Sequence, residues 1–142
     1  MSRFYAIDEA SAALPDVERI VSALRDQRAE LVALRDRVLT LTPDDGEPTP
    51  DAAEELRLIR LKMQGLIDQM QAGVARLVEL EITLRDIATG LIDFPALASG
   101  RPIWLCWRLG EPAVEHWHHQ DEGFASRRPL DELPTGRSGS IA

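Results

Sequence analysis

The 142 residues carry 16 basic and 24 acidic side chains, a formal charge of −8, and 44% apolar residues, the composition expected of one soluble domain with a conventional core. A sequence pI near 4.8 argues against a nucleic-acid or anionic-membrane surface, because phosphate recognition needs a concentrated basic face. One cysteine excludes an internal disulfide. Met1 is followed by no apolar export signal and no apolar run approaches the ~18 residues of a membrane span, so a cytoplasmic location is expected.

Apolar spacing sets the elements in chain order. Asp8 is placed to cap a short first helix near 8–14. Pro15 suits a first turn but cannot donate a helical hydrogen bond, so it resets the path into a second helix over 16–41. There Val17, Ile20, Leu24, Leu31, Leu34, Val38 and Leu41 recur in steps of three and four, with Gln27 the one polar member of the series. That is a helical seam. Residues 42–50, with three prolines and a glycine, read as a polar loop ending in the N-cap and N1 pair Thr49-Pro50.

A second seam runs Leu56, Ile59, Met63, Leu66, Met70, Gly73, Leu77, Leu80, Leu84 and Ile87, with Gly90 as the residue just past the helix. It predicts a helix over 50–89, about 60 Å long. Two seams joined by a short loop make a long antiparallel helical hairpin, coiled-coil-like in its packing. Gly73 on the seam predicts close approach of a neighbouring group. Leu58, Leu61, Ile67, Val74, Val78 and Ile82 lie off the seam, more apolar surface than one partner helix covers. A homodimer is therefore expected.

After Gly90 the helical period stops. Ile103-Trp104-Leu105-Cys106-Trp107-Arg108-Leu109 and Ala113-Val114-Glu115-His116-Trp117-His118-His119 flank Gly110-Glu111, the pattern of a β-hairpin near 102–120. The fold class is thus mainly α: a helical hairpin with a small C-terminal β-hairpin cap, one domain over 1–133, and a disordered tail over 134–142.

All three histidines, the cysteine and all three tryptophans fall within 104–119, which marks the hairpin as the place for chemistry. An even-length loop around Gly110-Glu111 puts Ile103, Leu105, Trp107 and Leu109 on one face with Val114, His116 and His118. Trp104, Cys106 and Arg108 then share the other with Glu115, Trp117 and His119. In that register one ion does not reach His116, His118 and Cys106 together. His116 and His118, two apart on a strand, form half a site for zinc or another divalent metal, to be completed by a carboxylate from Glu111, Asp93 or Asp121. The simpler account has the imidazoles bonded at the rim of an aromatic cluster. Cys106 reads as a small buried hydrophobe, its nucleophilic alternative requiring His119 or Glu115 as base.

Several segments together resemble a known family. Phe4-Tyr5, Asp8-Glu9-Ala10, Leu14-Pro15, Gly90-Leu91-Ile92-Asp93-Phe94-Pro95, Gly100-Arg101, Leu105-Cys106-Trp107, Gly110-Glu111, Trp117-His118 and Gly123-Phe124-Ala125-Ser126-Arg127 resemble the prokaryotic domain-of-unknown-function family numbered 2203. The family has no agreed activity. The resemblance draws attention to Asp93, Trp107, Glu111, Trp117, His118 and Arg127 as a ligand site, and less to His116 and His119. Ser126 stands where a glycine is expected and His119 where an acidic residue is.

Two functions follow. The first is a protein-interaction or oligomerisation module built on the helical hairpin, with a second copy or another protein as partner. The second is a metal- or small-ligand-binding protein, enzyme or not, with its site where the β-hairpin meets the helices.

Overall fold

The computed structural model describes residues 3–133; the tail expected over 134–142 lies outside them. Helix α1 (Ile7–Leu41) and helix α2 (Pro50–Glu79) are followed by strands β1 (Thr83–Asp86), β2 (Leu91–Ala98), β3 (Arg101–Arg108), β4 (His116–His119) and β5 (Arg128–Pro129), with 3-10 turns at Phe124–Ser126 and Leu130–Glu132.

The helical hairpin forms as the seams require. Leu24 meets Gly73, Glu30 pairs with Lys62 at 2.8 Å and Arg37 with Glu55 at 2.6 Å, so the helices run antiparallel. A Cβ on Gly73 would lie 3.1 Å from Leu24 Cδ2, which is the close approach expected of that glycine. Thr49 caps α2, its hydroxyl accepting the Ala52 N–H at 3.2 Å, with Pro50 in the first turn.

Three boundaries differ from expectation. Helix α1 is continuous through Pro15, with no separate helix over 8–14. The proline leaves the Ser11 carbonyl without its helical donor, but both residues are exposed, so water satisfies the group. The N-cap is Ala6 rather than Asp8; Glu9 Oε1 accepts the Ala6 N–H at 2.9 Å. Helix α2 stops at Glu79, ten residues short of the expected end. It closes in a Schellman motif, with Ile82 N–H on Leu77 O at 3.0 Å and Glu81 N–H on Val78 O at 2.9 Å. Glu81 takes the left-handed position usually held by glycine, at φ 58°. Leu77 and Ile82, the hydrophobic pair of that motif, are both buried.

The C-terminal part is larger than a hairpin. It is a five-stranded antiparallel meander in the order β1-β2-β3-β4-β5. Leu84 and Ile87 keep a helical spacing but belong to β1 and to the turn after it. Gly90, at φ +70°, makes the β1–β2 turn instead of ending a helix. One sheet face carries Ile92, Phe94, Ala96, Ile103, Leu105, Trp107 and Trp117, which form the core with Tyr5, Val17, Val21, Leu24 and Leu77. Tyr5 fastens the N-terminus, donating its N–H to Pro95 O and its hydroxyl to Leu80 O, both at 2.7 Å. Beyond Leu24 no residue of α1 is buried, so the distal part of the hairpin is a two-helix arm. No helix among the described residues is long and apolar enough to cross a membrane.

The Gly90 turn is a tight contact between layers. A Cβ there would lie 2.6 Å from Leu109 Cβ and 2.9 Å from Val21 Cγ1, whereas Gly100, at φ +77°, has nothing within 4 Å. Gly100→Ala should cost only backbone strain, about 1 kcal/mol. Gly90→Ala adds overpacking and should cost at least about 2 kcal/mol. Urea denaturation of the two variants checks this; equal losses would mean that the layers are not closely seated at Gly90.

Candidate functional site

The register decides which side chains share a face. Cys106 pairs with His116, Leu105 with Trp117, Trp104 with His118 and Ile103 with His119, so the connection is centred on Glu111 and has an odd number of residues. This overturns the expected faces. Residues directly opposite in an antiparallel pair point the same way. Trp104, Cys106, Arg108, His116 and His118 therefore lie together, while Trp117 joins Leu105 and Trp107 in the core. Asp93 pairs with Cys106 across β2 and β3 and falls on the same outer face. That face points away from the helices, so the candidate site is not at the β-hairpin/helix junction.

Asp93, Cys106 and His118 are brought together there. All three are buried, and one ligand atom from each lies within 4.8 Å of the others. The Asp93 and His118 side chains are each only 2% exposed, with His118 Nε2 3.0 Å from Asp93 Oδ2. The same oxygen accepts Arg85 Nε–H at 2.8 Å. His118 Nδ1 lies 2.8 Å from the His119 carbonyl oxygen; a carbonyl only accepts, so Nδ1 carries the proton. Nε2 is then the ring nitrogen turned to the Asp93 carboxylate. Asp93 Oδ1 is buried with no hydrogen-bond partner.

Cys106 closes the triangle. Burial, then the Asp93 carboxylate, push its thiol up to about 12 against the opposing influence of Arg127. It stays protonated at neutral pH, which is the reverse of an activated nucleophile. Neither expected base is at hand: Glu115 and His119 are exposed, and His119 stands edge-on to Trp117 with ring centroids 4.9 Å apart.

Residues 120–127 fold over this face as a strap. With Arg85, Leu91, Asp93, Cys106 and His118, residues 120–124 enclose a cavity of about 310 Å³. Arg127 anchors the strap by a two-pronged ion pair with Glu111, one prong being Nη1 to Oε1 at 2.9 Å. The same Nη1 lies 3.8 Å from Cys106 Sγ. Phe124 meets two guanidiniums, with Arg127 at 4.1 Å and Arg108 at 4.8 Å from its ring centroid. Arg128 pairs with Glu122 at 2.9 Å.

Of the residues singled out in the sequence, Asp93 and His118 meet directly, and Glu111 and Arg127 lie beside them as a pair. Trp107 and Trp117 are core residues; their indole N–H groups go to Glu111 O and Pro129 O, each at 3.1 Å. His116, His118 and Glu111 do not form one ligand set: His116 Nδ1 is 3.8 Å from Glu111 Oε2, while His118 turns to Asp93. Cys106 and Arg85 are additions of the structure. The signal for Cys106 was its place in the middle of the apolar strand, one register step away; Arg85 offered none.

A family model described as an uncharacterised conserved protein, DUF2203, matches residues 3–130. The chain belongs to that family. No curated protein and no solved structure matches it. For this DUF2203 chain, then, the chemistry of the site rests on its own geometry.

Glu111 supplies a test of the strap. Burial alone would push its carboxyl up; hydrogen bonds from Arg127 and the Arg108 N–H, with the Arg127 charge, outweigh that and hold it below its ordinary range. A depressed carboxyl stabilises the fold above its unfolded pKa and loses that contribution as pH falls through the folded value. Glu111→Gln should lose about 1–3 kcal/mol at pH 7. The gap from the native chain should close below the ordinary carboxylate range. Thermal melts from pH 7 to pH 3 read both; a gap independent of pH would mean the pair is not ionic.

Proposed function

We propose that the chain is a metal-binding protein that holds one divalent cation of the zinc class with Asp93, Cys106 and His118. The observation that carries this is the gathering of an Asp93 carboxylate oxygen, the Cys106 thiol and a His118 ring nitrogen within 4.8 Å of one another, with Asp93 Oδ1 buried and without a hydrogen-bond partner. An unmet buried acceptor costs about 1–3 kcal/mol, and a cation removes that cost. Sulfur, nitrogen and oxygen donors together suit zinc, whose bonds of about 2.0–2.3 Å place tetrahedral ligands roughly 3.5 Å apart. Separations as wide as 4.8 Å close to that spacing by a shift of about 1 Å. His118 Nδ1–H on a backbone carbonyl is the arrangement that turns Nε2 toward a metal. Three protein ligands leave a fourth position, and all three line the cavity of about 310 Å³, which has room for a further ligand. A lone thiol fits a reducing, cytoplasmic setting.

A second reading keeps the helical arm as an oligomerisation surface. Leu39, Leu58, Leu61, Val74 and Val78 are 39–69% exposed. At 100° per residue the four on α2 spread over the outward arc rather than forming one stripe, so this reading has the weaker support.

Purified protein incubated with zinc or cobalt and dialysed should retain one equivalent by elemental analysis. Cobalt loading should give a thiolate charge-transfer band. Cys106→Ser should abolish the band, and His118→Ala should weaken binding more than about 100-fold, beyond what loss of an outer-shell partner costs. A chain that retains no metal under either condition, or variants that bind it unchanged, would overturn the proposal.

A further inference from the structure

We infer that this site takes a small oxyanion, a carboxylate or phosphate group, clamped by Arg85 at the metal's fourth position; the inference rests on the metal-binding reading. It begins with a backbone irregularity. Thr83 pairs with Asp93 and Leu84 with Ile92, but the next pair is Asp86 with Leu91, so Arg85 is the extra residue of a β-bulge. Bulges re-aim a side chain beside functional sites. Here the Arg85 guanidinium lies 4.8 Å above the Trp104 ring, and its Nε binds Asp93 Oδ2 at 2.8 Å. Stacking and that bond fix the plane of the fork. Neither terminal nitrogen makes a hydrogen bond among the described residues, and the residue lines the same cavity as Asp93, Cys106 and His118. A planar fork with its outer edge free is the geometry that receives a carboxylate or phosphate.

Charge points the same way. Arg127 is balanced by Glu111 and Arg128 by Glu122. Arg85 has Asp93 alone. When a divalent ion is met by the Cys106 thiolate and the Asp93 carboxylate, the Arg85 charge is left without a counterion in the cavity that the three ligands line. An anion satisfies that charge and the fourth coordination position at once, where water would fill the position and leave the Arg85 charge unbalanced. Asp121 also lines the cavity and is exposed, with no ion pair among the described residues; it is the internal competitor. Asp121 makes no ion pair with Arg85, whose partner is Asp93, so the fork is open to an external anion. A cavity of about 310 Å³ sits at the small end of ligand sites, which limits the molecule bearing the oxyanion to a few heavy atoms beyond it.

The test uses the full chain loaded with cobalt, with inorganic phosphate and acetate as separate probes. Each probe that binds at the metal should change the cobalt visible spectrum, and the stronger response names the source chemistry. Arg85→Lys keeps a cation beside Asp93 but loses the fork; it should retain cobalt while its affinity for the responding anion falls at least ~10-fold. Asp121→Asn should leave that affinity unchanged or raise it. If Arg85→Lys compromises folding, Arg85→Gln read by the same titration replaces it. Cobalt binding with a spectrum that neither anion moves overturns this inference alone. So does equal anion affinity with and without cobalt, or anion binding that arises only in Asp121→Asn, which would make Asp121 the fourth ligand. Failure to bind cobalt at all overturns the metal reading and this inference with it.

Discussion

The pleat of β2, β3 and β4 is the constraint on which the rest depends. Side chains alternate across it, so the same three strands deliver Ile92, Phe94, Ile103, Leu105, Trp107 and Trp117 to the helices and Asp93, Cys106 and His118 to the other side. The apolar face holds the sheet against the first half of α1 through Val17, Val21 and Leu24. Because that burial fixes the register, it also fixes the polar triangle. A slip of one residue would send His118 into the core and Trp117 into solvent, a double cost that specifies the pairing strongly. The site is thus positioned by packing it takes no part in.

The outer face needs its own cover, and the strap provides it with charge rather than grease. Arg127 and Glu111 are both largely buried, and Phe124 meets two guanidiniums. Buried pairs of this kind contribute little net stability once desolvation is counted, although removing one partner is costly. What they supply is placement. The strap is held against Cys106 at a defined height, leaving a cavity where an apolar plug would have closed it. Arg127 therefore links the roof of the cavity to the thiol in its floor.

The sequence was legible where periodicity reports packing and illegible where the backbone departs from habit. Both seams and the antiparallel hairpin followed from three-four spacing, and Gly73 was correctly read as a point of close approach. The end of α2 was hidden because Glu81 adopts the left-handed position without being glycine, while Leu80, Leu84 and Ile87 kept a helical rhythm into a strand and turn. Pro15 suggested a break that an exposed helix face does not require. In the site, Asp93, Glu111, His118 and Arg127 were visible as residue types among aromatics. Their grouping was not, since it turns on an odd-length connection centred on Glu111, and composition does not reveal parity. Arg85 reached the site through a bulge, which leaves no trace in the residue pattern.

The polar triangle also has to be explained as a cost. Leu91, Pro95 and Leu97 occupy the same face of β2 as Asp93, so a fourth apolar residue at that position would pack without electrostatic penalty. Instead the strand places a carboxylate there with one oxygen shared between Arg85 and His118 and the other bonded to nothing. A structural ion pair would use both oxygens, because each unmet buried acceptor forfeits more than a typical hydrogen bond returns. The thiol gives the carboxylate only a weak donor: burial, the Asp93 charge and a hydrogen bond to Asp93 push it up to about 12, so it keeps its proton. On the metal-binding proposal, a cation takes the place of the proton between His118 Nε2 and Asp93 Oδ2 and draws on the carboxylate and an ionised sulfur at once. A buried salt bridge alone leaves Asp93 Oδ1 unmet, and that is the cost the proposed cation would remove.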